Sequence, residues 1–521
     1  MQKVAAGFPV RVWLLLCLVF VWAALLLGGL TLSLAPAVAR PLNDWSGELT
    51  EDTTFDPANN PYIISANLIV PDGVTLTVLP GVEMRFADAA TSLIVRGRLL
   101  AVGTPTQTIR FTWLNEGTYW REIIFDETLY DNRIAYAEIA YMLGVESQWS
   151  RFTLLNSEVH DTYGDAVRCD GGVITIQGNH IYNVTHKDHG CEGVQINQML
   201  PESPSYVVGN YIHHINDDCL DINDSSVFVE RNRFHDCGDK GISIGTIGDV
   251  REGTQPPSVT VVNTLVYSAY YGIAVKDSSF AQIVHSTLVG NEYGLALYEA
   301  LDHPGWGGGH AKVVNAILWG NHKYDLFLGP GAPSTVTVAY SDIAGGWEGT
   351  GNLDVTPGFR GTDVFRLQED SPLIDAGRDV GVALDLDGLP RWVGAAPDIG
   401  AYELQSGLSL SAWPGDQQAN LAWRLLGSNP ALASFAISYT LYPIGTMTIV
   451  PLPVTPTVLI TDVPTSTRAY TLTNLHNYVR HVVVVEARDA EGAVLLRSNV
   501  VSVVPSDHRL YLPLIVRGGA P

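Results

Sequence analysis

Carboxylates and lysines recur at regular intervals in one stretch of the chain. Glu192, Asp217 and Asp218 are followed by Lys240 and later by Lys276. If these side chains lie together, the carboxylates repel one another, which raises the pKa of at least one of them, while a neighbouring lysine lowers it. A protonated acid beside an ionised carboxylate is the arrangement that cleavage of a glycosidic bond requires. The residue types therefore indicate this chemistry first.

Repeats from about residue 60 to 345 are expected to position these residues. In each repeat, polar residues and a small residue precede a short apolar strand, and most repeats also contain an asparagine turn. The small residues are Gly193, Cys219, Gly241, Gly272, Gly294 and Asp325. A period in the twenties with several strands per repeat predicts a solenoid.

Stacking of the coils places equivalent residues in columns. The first column holds Asp165, Glu192, Asp218, Lys240, Tyr271 and Tyr293. The second holds Arg168, Gln195, Asp221, Ser243 and Ala274. The third, two residues further along, holds Asp170, Asn197, Asn223, Gly245 and Lys276. Because neighbouring strands lie about 4.8 Å apart, Glu192, Asp218 and Lys240 are predicted to form a run of about 10 Å.

The repeats resemble the right-handed parallel β-helix family of the pectate-lyase-like kind. Leu68–Thr112 is similar to the opening coils of many secreted bacterial members, and Ser371–Gly377, Asp385–Arg391 and Pro397–Leu404 are similar to their closing segment. The resemblance implies an all-β protein whose right-handed parallel β-helix occupies residues 40–404.

After the β-helix, alternating strands predict a β-sandwich over residues 405–505 that resembles a fibronectin type III module. Trp423 is expected in its core, while His481 stands where that pattern has an aromatic residue. Residues 506–521 resemble a short tail of exported bacterial proteins; the alternative is a frayed terminus or a last strand.

Local motifs resemble the glycoside hydrolase family that contains polygalacturonases. The family's D-D-C is matched at residues 217–219 and its G-I-S-I-G at Gly241–Gly245, while Glu192 and Lys276 match the aspartate of N-T-D and the lysine of R-I-K.

This resemblance assigns roles to individual residues. It implies that Asp217 is the general acid and that Glu192 and Asp218 activate water for inversion. It also implies a disulfide between Cys219 and Cys237.

Further residues are predicted to bind the substrate, although two positions depart from the family. Its histidine of G-H-G is Lys240 here and its substrate-binding arginine is Ala274. Lys240 and Lys276 are predicted to bind the carboxylate of a uronate, and Asp221 and Arg168 to contact the same substrate.

Insertions at one phase of the repeats predict a loop-lined face, which is often the binding face. They are Met199–Pro204, Thr246–Pro257 and Glu299–Gly309. Trp306 in the third insertion is predicted to stack on a sugar ring; the alternative is a local packing role.

Other interpretations of the charged columns stay open. Stacked like residues can form a purely structural ladder or hold a calcium ion. A lyase would use Lys240 or Arg168 as base, which needs a large fall in pKa. Asp385–Gly388 looks like a calcium-loop fragment, but a closing turn is favoured. We expect no required cofactor and assign no metal ligand; His186, His189, His213 and His214 lack a regular metal spacing and are expected at the surface.

The N-terminus and the cysteines indicate export. Residues 1–39 read as a signal peptide, with an uncleaved membrane anchor as the alternative. The clustered Cys169, Cys191, Cys219 and Cys237 predict disulfides rather than a zinc site, because no C-x2-C pair is present. The location is therefore extracellular or at the cell surface.

The net charge of −24 disfavours nucleic acid and anionic membranes as partners. Membrane contact is expected only through an uncleaved N-terminal segment. Two hypotheses follow: an exported enzyme that hydrolyses an acidic polysaccharide, or a non-catalytic protein that binds a cell-surface glycan or another cell. The departures at Lys240 and Ala274 motivate the second.

Overall fold

A computed structural model describes residues 43–117, 119–185, 190–200, 204–247, 257–301, 304–361, 365–368, 370–393, 396–404, 408–425, 432–442, 458–477, 479–498 and 501–505. The chain divides into two units, Met1–Asp44 and Trp45–Pro521, and only Asn43 and Asp44 of the first are described. The N-terminal segment and the C-terminal tail predicted above lie outside these ranges, as do parts of all three insertions. Within the described ranges, no helix is long and apolar enough to cross a membrane.

A 31-stranded sheet with parallel pairing winds through most of the described chain. Its strands are β1 Asp44–Glu48, β2 Thr53–Phe55, β3 Tyr62–Val70, β4 Thr75–Val78, β5 Glu83–Phe86, β6 Ser92–Val95, β7 Arg98–Val102, β8 Ile109–Trp113, β9 Trp120–Asp126, β10 Asn132–Ala135, β11 Ala137–Ala140, β12 Met142–Leu155, β13 Glu158–Thr162, β14 Val167–Gln177, β15 His180–Val184, β16 Val194–Asn197, β17 Ser205–Val208, β18 Tyr211–Ile215, β19 Leu220–Asn223, β20 Val227–Glu230, β21 Arg233–Gly245, β22 Ser258–Val262, β23 Leu265–Lys276, β24 Phe280–Val284, β25 Thr287–Val289, β26 Tyr293–Tyr298, β27 His310–Val314, β28 Ile317–Trp319, β29 Tyr324–Leu328, β30 Thr335–Ala339 and β31 Asp342–Ile343. A short 3-10 helix, Pro57–Asn59, lies between β2 and β3.

Apolar ladders form the core of this solenoid. One ladder crosses eight coils through Val145, Val167, Val194, Leu220, Ile242, Ile273, Leu295 and Leu326. All eight side chains are buried, and full burial of such a residue is worth about 1.5–3 kcal/mol. The alternation of the strands turns the intervening residues away from this core, which is why the polar residues of the repeats form columns on the outer side of the coils.

Asparagines stack at one turn of successive coils. The backbone N–H of Asn179 donates to Oδ1 of Asn210, and that of Asn210 donates to Oδ1 of Asn232, both at 2.9 Å. The three side chains are buried, so these bonds satisfy backbone groups that have no place in a strand ladder. The repeated asparagine in the sequence is explained by this turn.

The predicted β-sandwich is present after the β-helix. Its strands form two antiparallel sheets, which follow a small hairpin of β32 Phe359–Arg360 and β33 Arg366–Leu367. They are β34 Leu408–Gly415, β35 Gln418–Leu425, β36 Ser434–Tyr442, β37 Val458–Val463, β38 Ala469–Thr473, β39 Arg480–Arg488, β40 Val494–Arg497 and β41 Val501–Val503. Trp423 is buried against Phe435 as predicted, and His481 is also buried.

Candidate functional site

Strand pairing places the charged residues in the predicted columns. Gln195 pairs with Asp221, Asp221 pairs with Ser243, and Ser243 pairs with Ala274. In the first column, Lys240 pairs with Tyr271. The backbone N–H of Cys219 donates to the carbonyl of Lys240 at 2.8 Å, so Asp218 and Lys240 occupy successive coils.

Asp218 and Lys240 form a buried ion pair. Nζ of Lys240 lies 3.3 and 3.4 Å from the two oxygens of Asp218, whose Oδ1 also accepts the backbone N–H of Lys240 at 2.8 Å. The side chains are 7% and 11% exposed. Burial raises the pKa of Asp218 to about 7, although Lys240 opposes the rise. Asp218 is therefore held in place and shielded, which suits a positioning role.

Asp217 and Asp239 complete a cluster around this pair. One oxygen from each of Asp217, Asp218 and Asp239 lies within 4.8 Å of the others, and Lys240 also forms an ion pair with Asp239. Burial raises the pKa of Asp217. Gly190 lies close to this carboxylate: a Cβ at position 190 would lie 1.9 Å from Oδ2 of Asp217, so a larger residue there would displace the Asp217 side chain.

Glu192 belongs to the neighbouring coil and interacts chiefly with Asp165. The backbone N–H of Glu192 donates to Oδ1 of Asp165 at 3.1 Å. Burial raises the pKa of Glu192 well above its usual range, and a hydrogen bond to Asp165 adds to the rise, as do the charges of Asp221 and Asp217. This shift favours the protonated form of Glu192, which disfavours the role in water activation that the resemblance implies for it.

Arg168 and Asp221 lie at the two ends of a polar ladder. Nε of Arg168 donates to Asp170 at 2.8 Å, and Asn197 donates to the same carboxylate at 2.7 Å. Asn223 donates to Asn197 at 3.2 Å and to Asp221 at 2.7 Å. These contacts saturate much of the hydrogen-bonding capacity of the ladder, so it reads as a structural support beside the cluster.

Lys276 and Trp306 are the two remaining residues that the sequence predicted to bind the substrate. Lys276 is half-buried at the end of β23, and its charge opposes the rise that burial causes in the pKa of Asp217. The carbonyl of Trp306 accepts a hydrogen bond from the Ser278 hydroxyl at 2.5 Å, and its side chain is half-buried. Glu299 fixes this loop by accepting the backbone N–H groups of Gly305 and Gly307.

The predicted disulfide between Cys219 and Cys237 is present. It joins the turn that carries the cluster to the next coil. Cys169 and Cys191 are buried and unbonded, so the four cysteines form one bridge and not two. Burial raises the pKa of both free thiols, that of Cys191 to about 12.

Two alternative chemistries fit the cluster poorly. Burial alone would lower the pKa of Lys240, but its partners Asp218 and Asp239 outweigh burial and raise it; the pKa of Arg168 is likewise raised. Neither cation can then serve as the base of a lyase. Calcium also fits poorly, because the ammonium of Lys240 already contacts the oxygens of Asp218 and Asp239 that would bind it.

At the closing segment, Asp385 accepts the backbone N–H groups of Asp387, Leu389 and Glu403. Asp385–Gly388 therefore forms a closing turn, the alternative that the sequence favoured.

Two residues of the site, Asp239 and Asp165, had no predicted role, although Asp165 belongs to the first column and Asp239 lies next to it in sequence. Asp239 contributes a carboxylate that is 39% exposed, against 7% for Asp218, and Asp165 adds through a hydrogen bond to the rise that burial causes in the pKa of Glu192. Asp239 directly precedes Lys240, which was the available signal for it.

A match to a protein-family model supports the architecture. A family model described as a right-handed β-helix region matches residues 141–304, which confirms the predicted handedness. No curated protein matches the sequence. Among solved structures, a mutant of a periplasmic alginate epimerase is 12% identical over 56% of this chain and 78% of its own, with a TM-score of 0.38. An alginate lyase from a Paenibacillus species is 14% identical over 49% of this chain and 93% of its own, with a TM-score of 0.28.

Proposed function

We propose that this exported β-helix hydrolyses an acidic polysaccharide, with Asp217 as general acid. The observation that carries the proposal is the convergence of Asp217, Asp218 and Asp239 within 4.8 Å around the ammonium of Lys240. Asp217 is half-buried and its pKa is raised by burial. A carboxyl group of this kind donates a proton to the leaving oxygen of a glycosidic bond.

The second carboxylate of the reaction is Asp239 in this proposal. It is more exposed than Asp218, and it lies next to Lys240, which orients it. An inverting pair usually stands about 6.5–9.5 Å apart to admit water, and a retaining pair about 5–5.5 Å apart. The short separation in the cluster favours retention, so the anomeric configuration of the first product is an informative measurement.

Lys276 is the residue proposed to select an acidic sugar. Lys240 already contacts two carboxylates, whereas Lys276 forms no ion pair within the described part of the chain. Its charge acts on Asp217, so its ammonium is proposed to bind the carboxylate of a uronate that lies across the cluster.

Reducing-end release from polygalacturonate, alginate and neutral glycans tests the proposal. Asp217→Asn should lower turnover by about 10²–10⁴-fold, the usual contribution of a general acid. Asp131→Asn is the matched control, because Asp131 pairs with arginines in an earlier coil. Absence of turnover on every glycan, in a preparation whose fold is intact by circular dichroism, would overturn the enzymatic proposal.

A second candidate function is glycan binding without catalysis. It is favoured by the buried ion pair of Asp218 with Lys240, because this pair leaves only Asp217 and Asp239 of the cluster partly exposed for chemistry. In that case, binding to a glycan array would persist in Asp217→Asn, and no product would form with the unsubstituted protein.

A further inference from the structure

Imidazole and phenol rings form a separate column of stacked rings on the β-helix, distinct from the carboxylate cluster and from the three columns described above. Strand pairing aligns its members in the order His160, Tyr182, His213, His235 and Tyr267. Successive ring centroids lie 5.0, 5.5, 4.8 and 4.7 Å apart, with planes within 13° of parallel. The stacking fixes the orientation of each ring, so the ring nitrogens have defined directions.

Two histidines bring their Nε2 atoms together at this column. His180 occupies the coil before His213, and the two Nε2 atoms are 2.8 Å apart. Nδ1 of His180 lies 3.3 Å from Oε1 of Glu158. With the hydrogen of His180 on Nδ1, the side that faces Glu158, its Nε2 presents a lone pair to His213, whose own Nε2 releases its hydrogen when a metal binds.

A similar arrangement recurs in the next coil. Nδ1 of His235 lies 2.9 Å from Asp236 and donates its hydrogen to that carboxylate, so Nε2 of His235 carries a lone pair. The hydroxyl of Tyr211 lies 2.7 Å from this Nε2. A histidine whose other nitrogen donates to a carboxylate is the usual form of a metal ligand, because the carboxylate fixes the tautomer and raises the basicity of the ligating nitrogen.

We propose that His180 and His213 bind a transition-metal ion, with Glu158 as the outer carboxylate, with Tyr211 beside the site on the strand of His213, and with His235 in the next coil. Metal–imidazole bonds are about 2.0–2.1 Å long, so nitrogens 2.8 Å apart subtend about 86° at the metal. This angle suits neighbouring positions of a square-planar or tetragonal ion, and Cu²⁺ and Ni²⁺ adopt such geometry with imidazole, whereas tetrahedral zinc needs a wider angle.

Titration of the full chain with Cu²⁺ tests the site, with calorimetry and electron paramagnetic resonance as readouts. The unsubstituted protein should bind one Cu²⁺ with hyperfine coupling from two imidazole nitrogens. His180→Gln and His213→Gln should each weaken binding by roughly 100-fold and remove one nitrogen from the spectrum. Glu158→Gln should weaken it less, within the range of about 10–100-fold known for outer partners.

Controls separate this site from other sources of binding. His322→Gln removes an exposed histidine from a later coil and should leave affinity unchanged. The side chain of His180 is 37% exposed, so its substitution should spare the fold, which circular dichroism checks. The proposal is overturned if neither His180→Gln nor His213→Gln changes Cu²⁺ affinity, or if only Asp217→Asn and Asp239→Asn abolish it.

Discussion

The ammonium of Lys240 lies 3.3 Å from Oδ1 of Asp218, a residue 22 positions earlier in the chain. The coil spacing of the β-helix creates this contact, and both side chains are almost fully buried. Two charges removed from water together are stable only as a pair. The relationship therefore fixes the geometry of the whole cluster.

Asp218→Asn should destabilise the protein strongly. It leaves Lys240 buried with only Asp239 as partner, and loss of one member of a buried pair costs about 3–5 kcal/mol. Urea denaturation followed by circular dichroism measures the change. Asp126→Asn is the control, because the Arg96–Asp126 pair is 54% and 28% exposed and should cost less than about 1 kcal/mol. Equal effects of the two substitutions would contradict the assignment.

Replacement of both Cys219 and Cys237 by serine should lower the free energy of unfolding by about 3 kcal/mol. The bridge closes a loop of 18 positions. Closing a loop of this size reduces the entropy of the unfolded chain by an amount worth roughly 3 kcal/mol. The buried Cys169 and Cys191 should remain unlabelled by a thiol reagent until the protein is unfolded. Rapid labelling of either thiol in the native protein would show that its coil is open.

Glu192→Gln should change how stability depends on pH. Burial raises the pKa of Glu192 from 4.5 to about 9, so the folded state keeps a proton that the unfolded state has released. Its contribution to stability is therefore lost progressively as pH rises through this window. The free energy of unfolding of Glu192→Gln, relative to that of the unsubstituted protein, should increase by on the order of 1 kcal/mol or more from acidic to alkaline buffer, since one pKa unit is worth about 1.4 kcal/mol.

Comparison with the unsubstituted protein matters for this measurement, because other groups titrate as well. Burial lowers the pKa of His213 to about 4. The contribution of His213 to stability therefore increases as pH rises, opposite to that of Glu192. A constant difference between Glu192→Gln and the unsubstituted protein across the pH range would show that Glu192 is ionised in the fold.

Lys276→Ala should weaken the binding of polyuronates and leave neutral glycans unaffected. Loss of a charge-assisted hydrogen bond costs about 1.5–3 kcal/mol, which corresponds to a rise in KM or Kd of about tenfold or more. Lys312→Ala is the matched control, because Lys312 is exposed on β27. If both variants lose affinity alike, general charge attraction explains the binding and a specific contact does not.

The sequence predicted the scaffold and the columns well. Small residues such as Gly193 and Gly241 mark the start of each strand, and the register they imply agrees with the pairing of Leu220 with Ile242. Such patterns are readable because each coil repeats the same local requirements for turns and apolar residues. The alternation of the strands then determines which residues face outward.

The tertiary structure decided how the outward side chains share their partners. Asp218 is bound by Lys240, Glu192 interacts with Asp165, and the charge of Lys276 acts on Asp217. Register gives each residue its position, whereas rotamers and burial decide which of several neighbours it contacts and which proton it keeps.

By itself, the sequence determined a right-handed β-helix with a sandwich, a carboxylate column and the Cys219–Cys237 bridge. Only the fold brought His180 to His213, because the two are 33 positions apart and no local motif links them. A solenoid converts sequence separations of one coil into contacts of a few ångströms, and the directions of the side chains at those contacts exist only in three dimensions.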